Sequence, residues 1–397
     1  MDAPRTDRRT VSVQANCRHD QICALVVRSR GVPWRGHVGE SWREIFTDPQ
    51  DGRLDGSRWL LEHRGVLPVP IVITEPAVGY GGGVALAYFH RAPGERAAEG
   101  QPRTIPPSVS AAVVAGTENG TRLGALGHLG IWREDTIRYT GGIAAISINL
   151  TFYGGEEFPR LDEGIEYNLD GWGTLQQLIW RWGESDFWIG LQGLYFDASA
   201  GLEETSAPAI FDRLNGDVTN ASLGVVVSYD ARDNILTPSR GLQSEWYVRQ
   251  HWGEFNGDVD YIQVDGKNRW YFQPGKPWVI GWRLDASFTS GDVPFYARPS
   301  INQRGIAYGR YQGDAMVATE VETRYDIDGR WFGVAFAGVG RAADEFDELD
   351  ATDSRWAGGV GFRYLISRVL GIQMGLDVAR GPEEWAFYLQ AGSGWGL

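Results

Sequence analysis

Arg304 stands in a stretch of about two dozen residues, 291–314, with Pro294, Pro299 and several glycines. So long a connection between regular elements is either functional or disordered. Glu320 and Glu322 follow it, at the spacing that puts two carboxylates on one face of a strand. Asp285, Arg324 and Asp377 fall on polar faces of the same kind. A guanidinium binds carboxylates through paired hydrogen bonds in fixed geometry, so an inward-folded Arg304 would act as a latch. A loop arginine solvated by water is the other reading, and spacing alone favours it. Catalysis has little to work with. His19, His37 and His63 come early, and His90, His128 and His251 sit on separate candidate strands. There is no Gly-x-Ser-x-Gly elbow and no His-Glu-x-x-His helix. Gly79 to Gly83 lacks a P-loop lysine and reads as a bend. Cys17 and Cys23 cannot build a zinc pattern with the rest of the chain. No catalytic residue, cofactor or metal site is expected.

The elements that must carry these residues are strands. No apolar run approaches the roughly eighteen residues of a spanning helix. From Leu67 onward the period is two. Val218 to Asp230 alternates Leu223, Val225 and Val227 with Asn220, Ser222 and Ser228. Pro277 to Ser290, Ala315 to Ile327 and Leu370 to Ala379 do the same. Sixteen strands are expected, from 67–75 to 384–395, several longer than the usual five or six residues of soluble sheets. Tight turns alternate with long connections, as in outer-membrane barrels. Trp246, Trp278, Trp356, Trp385 and Trp395 are placed on outward faces near strand ends, where aromatic belts form. A soluble sandwich would use shorter strands around one core. The fold class is therefore all-β, a transmembrane antiparallel β-barrel of about sixteen strands with a short N-terminal helical segment. That segment is Asp55 to Gly65, with Asp55 or Ser57 as its cap. The net charge of −14 argues against nucleic acid as a partner.

Three segments carry a family resemblance. Tyr229-Asp230-Ala-Arg232-Asp233-Asn234, followed by Pro238 and Gly241, is similar to a strand, periplasmic turn and next strand. Gln303-Arg304-Gly305-Ile306, with Gly309-Arg310-Tyr311 and Glu320-Val321-Glu322, resembles an Arg-Gly loop motif before the last five strands. Gly359-Val360-Gly361-Phe362-Arg363 and Asp377-Val378-Ala379 precede a final strand ending near Trp395. In order and spacing these resemble the BamA/TamA superfamily of outer-membrane assembly and translocation barrels, the bacterial surface antigens. The resemblance covers roughly Leu67 to Leu397. It implies that Arg304 and Gly305 form a lumen latch with Glu320, Glu322 and Asp377. Departures are Gln303 and Ile306 where the family has an aliphatic and an aromatic, and Phe336-Ala-Gly338-Val-Gly340, which lacks the family's acid. With Gly338 in that place, Glu320 or Glu322 is the preferred partner of Arg304.

The expected layout is a leader or mis-assigned start over 1–36, a periplasmic or plug segment over 37–66, and the barrel over 67–397, with no receiving repeat domains ahead of it. Pro68 and Pro70 remove two backbone donors from the first strand. Either the seam with the Trp395 strand is weak, as the resemblance suggests for a lateral gate, or the strand begins at Val69 or later. The implied location is the outer membrane of a Gram-negative-type bacterium. The implied role is membrane-protein assembly, insertion or translocation, with a passive or gated pore as the alternative. Expected partners are outer-membrane lipid, unfolded membrane-protein clients and periplasmic or lipoprotein partners, around a monomeric barrel.

Overall fold

Strict alternation leaves the backbone only one way to bury polar side chains while facing lipid with apolar ones: a closed sheet. The computed structural model describes residues 42–62, 65–74, 77–90, 107–152, 165–202, 216–254, 258–392 and 394–395. The 1–36 stretch, expected as leader, lies outside them. Sixteen strands run through the described residues. The first eight are β1 (Gly65–Ile73), β2 (Gly81–Phe89), β3 (Val109–Thr117), β4 (Arg122–Trp132), β5 (Ile137–Phe152), β6 (Ile165–Arg181), β7 (Phe187–Leu202) and β8 (Gly216–Asp230). The others are β9 (Gly241–Glu254), β10 (Asp258–Gly275), β11 (Trp278–Gly291), β12 (Ala315–Asp326), β13 (Trp331–Ala343), β14 (Arg355–Ser367), β15 (Ile372–Arg380) and β16 (Trp385–Ala391). Each pairs antiparallel with its chain neighbours, in the order β1 to β16. This is a nearly closed transmembrane β-barrel. Its outer surface exposes Val114, Leu126, Leu191, Leu223, Val248 and Val360, among others. So large an apolar band would be an aggregation liability in water and fits a bilayer. Trp246, Trp278, Trp356 and Trp385 are outward and exposed.

The seam is where closure is incomplete. Among the described residues no ladder joins β1 to β16. The β1–β2 register runs unbroken through Pro68↔Leu86 and Pro70↔Val84, so both prolines lie within the strand. Prolines cannot donate, so the donors facing β2 come from the odd-numbered residues, and the carbonyl of Ile71 points toward Gly82. Pro68 and Pro70 therefore turn their donor-less nitrogens toward β16.

The C-terminus departs from expectation. The strand expected over 384–395 stops at Ala391. Gly392 takes a left-handed φ of 83° and donates its N–H to Gln373 O at 2.7 Å. Trp395 is consequently not on the outer face of a strand at the seam. It is buried inside the barrel, beside Tyr271, and a Cβ on Gly281 would come within 2.7 Å of its ring. An indole with an acceptor for its N–H is better placed there than in water.

Two helices precede the barrel. α1 (Trp42–Ile45) is one turn. α2 (Ser57–Glu62) begins where Asp55 Oδ1 accepts the Ser57 N–H at 2.6 Å. The chain just before and at α2 is held at the short-turn end of the barrel, which in such barrels faces the periplasm. Gly56 N–H donates to Ile366 O, and the Tyr364 hydroxyl donates to Leu54 O at 2.7 Å.

Candidate functional site

The long 291–314 connection folds into the lumen. Phe295 and Tyr296 pack against Tyr167 and Phe196 on the far wall. Ile301 and Ile306 bury against Met316, Ala318 and Ala357 on the near one. The inner face of β13 has a groove for this loop. A Cβ on Gly338 would meet the Gln303 amide at 2.8 Å, and one on Gly340 would meet Ile301 at 2.6 Å. Gln303 Nε2 donates to Thr319 O at 2.8 Å and to Val339 O at 3.1 Å. The missing acid of β13 thus makes room for Gln303. Gly305 takes a φ of 96°, lies against the 380–381 backbone, and donates its N–H to the Tyr388 hydroxyl at 2.8 Å. A side chain there would be both strained and crowded.

Arg304, at the apex, is 6% exposed. Its Nη2 donates to Glu320 Oε1 at 2.5 Å and its Nη1 to Asp377 Oδ2 at 2.7 Å. Nη1 also lies 2.9 Å from Glu322 Oε2, without hydrogen-bond alignment. The guanidinium rests 3.5 Å from the centroid of the Phe336 ring. Further groups complete the cluster. Arg363 grips Asp377 through both Nη atoms, at 2.5 and 2.9 Å. Arg324 Nε stands 3.9 Å from Glu322, and its Nη2 donates to Pro238 O. Trp395 Nε1 donates to Glu320 Oε1 at 2.5 Å. Three arginines thus face three carboxylates, all buried. Asp285 is not in the cluster; it pairs with Arg283 at 2.9 Å.

The 231–240 turn supports this cluster from the periplasmic end. Asp230 accepts Arg232 Nε at 2.9 Å and Arg138 Nη1 at 3.0 Å, and Arg138 lies over the Trp188 ring. Asp233 accepts the N–H groups of Asn234, Ser239 and Arg240, closing the turn. Gly241 has a φ of 107°, and a Cβ there would come 2.8 Å from Arg232. Asn234 Nδ2 donates across to Leu370 O at 3.2 Å. The turn after β8 therefore reaches the one between β14 and β15.

Sequence reasoning missed a second cluster. Arg330, 1% exposed in the β12–β13 turn, donates Nε to Asp51 and Nη1 to Asp55, each at 2.7 Å, and Nη2 to Asp48. Arg368 adds bonds to Asp48 and Asp51, each at 2.6 Å. The hydrogen bond from Arg330 holds the Asp51 carboxyl down to about 2. Burial works against the ionised form of Asp55, but hydrogen bonds from Ser57, Arg330 and Arg368 outweigh it and lower its pKa. Burial works against the charged Arg330 too, and its aspartates outweigh that, raising its pKa.

Two histidines read as scattered also meet. His90 Nε2 and His128 Nδ1 lie 2.9 and 2.8 Å from the Ser110 hydroxyl on the outer face.

Residues 192–369 match the Omp85 superfamily domain. The structure is similar to BamA from Haemophilus ducreyi lacking POTRA domains 1-3, with a TM-score of 0.55 and 13% identity, over 83% of this chain and 70% of that one. The barrel is similar in fold to that BamA barrel, and the match to the Omp85 superfamily domain covers its middle and later strands. CdiB from Acinetobacter baumannii has a TM-score of 0.52 at 10% identity, and CdiB from Escherichia coli 0.53 at 9%. Each CdiB match covers 82% of this chain, which spans 59% and 62% of those proteins, less than two thirds. At such identities the likeness is one of fold. Arg304 and its loop lie within the residues that match the Omp85 superfamily domain.

Proposed function

We propose that this outer-membrane barrel inserts or translocates polypeptide, with Arg304 and its carboxylates locking the lumen loop and the β1–β16 seam as the opening. The observation that carries the reading is the seam. A barrel built only to enclose a pore gains from complete closure, because an open edge in lipid leaves backbone groups unsatisfied. Here two prolines point their donor-less nitrogens at the edge that must close. An edge of this kind is a template for strand addition by an incoming chain. Outer-membrane lipid and unfolded membrane-protein clients are the partners this chemistry fits. Neutral lumen pairing and an inward loop suit a locked barrel better than a passive channel.

The test is reconstitution of the barrel in phospholipid vesicles with an unfolded outer-membrane protein, its folding followed by heat-modifiable gel mobility. The wild type should accelerate folding over empty vesicles. Pro68→Val/Pro70→Val restores two donors and should slow that gain while raising the barrel's own stability. Cysteines placed across 69–73 and 387–391 should crosslink incompletely in the wild type. No acceleration, or a double variant indistinguishable in both quantities, removes the proposal.

A further inference from the structure

The lumen has two unlike halves. One inner wall carries the arginines and carboxylates of the latch. The other, formed by β3 to β7, is small and apolar. Between that wall and Tyr296, Ala297 and Tyr308 of the inward loop lies a cavity of about 690 Å³. Val113, Ala125, Ala144, Leu175, Leu194 and Phe196 line it. The register puts them on one face: Val113↔Ala125↔Ala144, then Leu175↔Leu194. Interiors of water-filled barrels are polar. An apolar inner wall behind an apolar outer wall calls for a different occupant.

At one edge of the cavity is a polar shelf. His251, 5% exposed, has Nδ1 at 3.0 Å from Asn220 Oδ1. Asn220 gives its amide N–H to the Tyr261 hydroxyl at 3.3 Å, and the rings of Tyr261 and His251 stack at 4.3 Å. Because Nδ1 donates to Asn220, Nε2 presents a lone pair, and no protein atom meets it. Ser222, paired with His251 in the ladder, is buried with its hydroxyl equally without a partner. Buried polar atoms of this kind are expected to be satisfied. An alcohol hydroxyl gives a proton to Nε2.

We infer that this cavity binds the alkyl chain of an uncharged, hydroxyl-headed single-chain amphiphile, with His251 receiving the head. A charged head would lack a counter-charge, because Arg249, the next inward residue of β9, is already engaged by Asp265 and Gln192. A polypeptide strand would bring backbone donors and acceptors to a wall whose own are used in its ladders. The inference does not depend on the insertase reading, and its test uses no client protein.

The probe is a diazirine-bearing ten-carbon primary alcohol, photolysed with the full chain in phosphatidylcholine vesicles and mapped by peptide mass. Label is expected on peptides carrying Leu194, Phe196, Tyr296 and Tyr308. Excess 1-decanol should compete better than decyl methyl ether by roughly tenfold or more, since the ether cannot donate to Nε2. Ala144→Leu should abolish lumen label by filling the wall. His251→Phe should keep label but erase the preference for the alcohol. Ala125→Leu replaces Ala144→Leu if that variant fails to show heat-modifiable mobility. Label confined to outward residues such as Trp172 and Leu223 would mean partition into lipid only, and overturns the assignment. Equal competition by alcohol and ether, or full lumen label in a folded Ala144→Leu, overturns it too.

Discussion

Replacing Arg304 by alanine removes one charge from a cluster of three arginines and three carboxylates. Asp377 keeps Arg363 through two hydrogen bonds, and Glu322 keeps Arg324 at 3.9 Å. Glu320 keeps only the indole of Trp395, at 2.5 Å. The uncompensated charge therefore falls on Glu320, which is 2% exposed. Leaving a buried charge unpaired costs about 3–5 kcal/mol. The same pair in water would be worth about 0–1 kcal/mol. The loop also loses the stack on Phe336, so Arg304→Ala should sit in the higher range. Lysine keeps the charge but has no fork, so Arg304→Lys should recover part of the loss. Adding Glu320→Gln to Arg304→Ala removes the stranded charge, so the double variant should be no worse than the single one. The assay is the urea midpoint in vesicles, followed by heat-modifiable mobility. A wild-type midpoint for Arg304→Ala, or additive costs in the double variant, would refute a buried latch.

Three further predictions concern the Arg330 cluster and Trp395. Arg330→Ala should release residues 46–62 from the periplasmic turns, read as loss of hydrogen-exchange protection there with the barrel strands unchanged. The carboxyls of Asp51 and Asp55 lie below the ordinary value of 3.8, so their contribution is complete above that value. It is lost as pH falls toward the Asp51 value of about 2. Protection of 46–62 should therefore hold from neutral pH to near 4 and vanish between there and 2. Trp395→Phe keeps the ring but withdraws the donor from Glu320, and should cost about 1–3 kcal/mol of stability, read as a lower urea midpoint. Full stability in that variant would mean that the indole N–H is immaterial.

Much of the fold was legible because a barrel writes itself in a period of two. β8 and β12 show both faces directly, and Glu320 and Glu322 could be assigned to the lumen from alternation alone. What alternation cannot carry is a change of direction. The last strand was read through to Trp395 because its apolar pattern continues, whereas Gly392 turns the chain inward. Distance in sequence hid the Arg330 clamp: Asp48, Asp51 and Asp55 lie far from it, and no spacing rule links them. Their own clustering ahead of a short helix was the available signal. Gly338 looked like a lost acid, and only the built groove shows that it admits Gln303. Likewise His90 and His128 come together on Ser110 through ladder register, which no single strand reveals.

The central claim is that the lumen is locked by its own loop, and single-channel conductance tests it most directly. Purified barrel in a planar bilayer should be closed for most of the record, with rare brief openings, and Arg304→Ala should open more often. Large, steady currents from the wild type, unchanged in Arg304→Ala, would contradict the account and mark a passive pore.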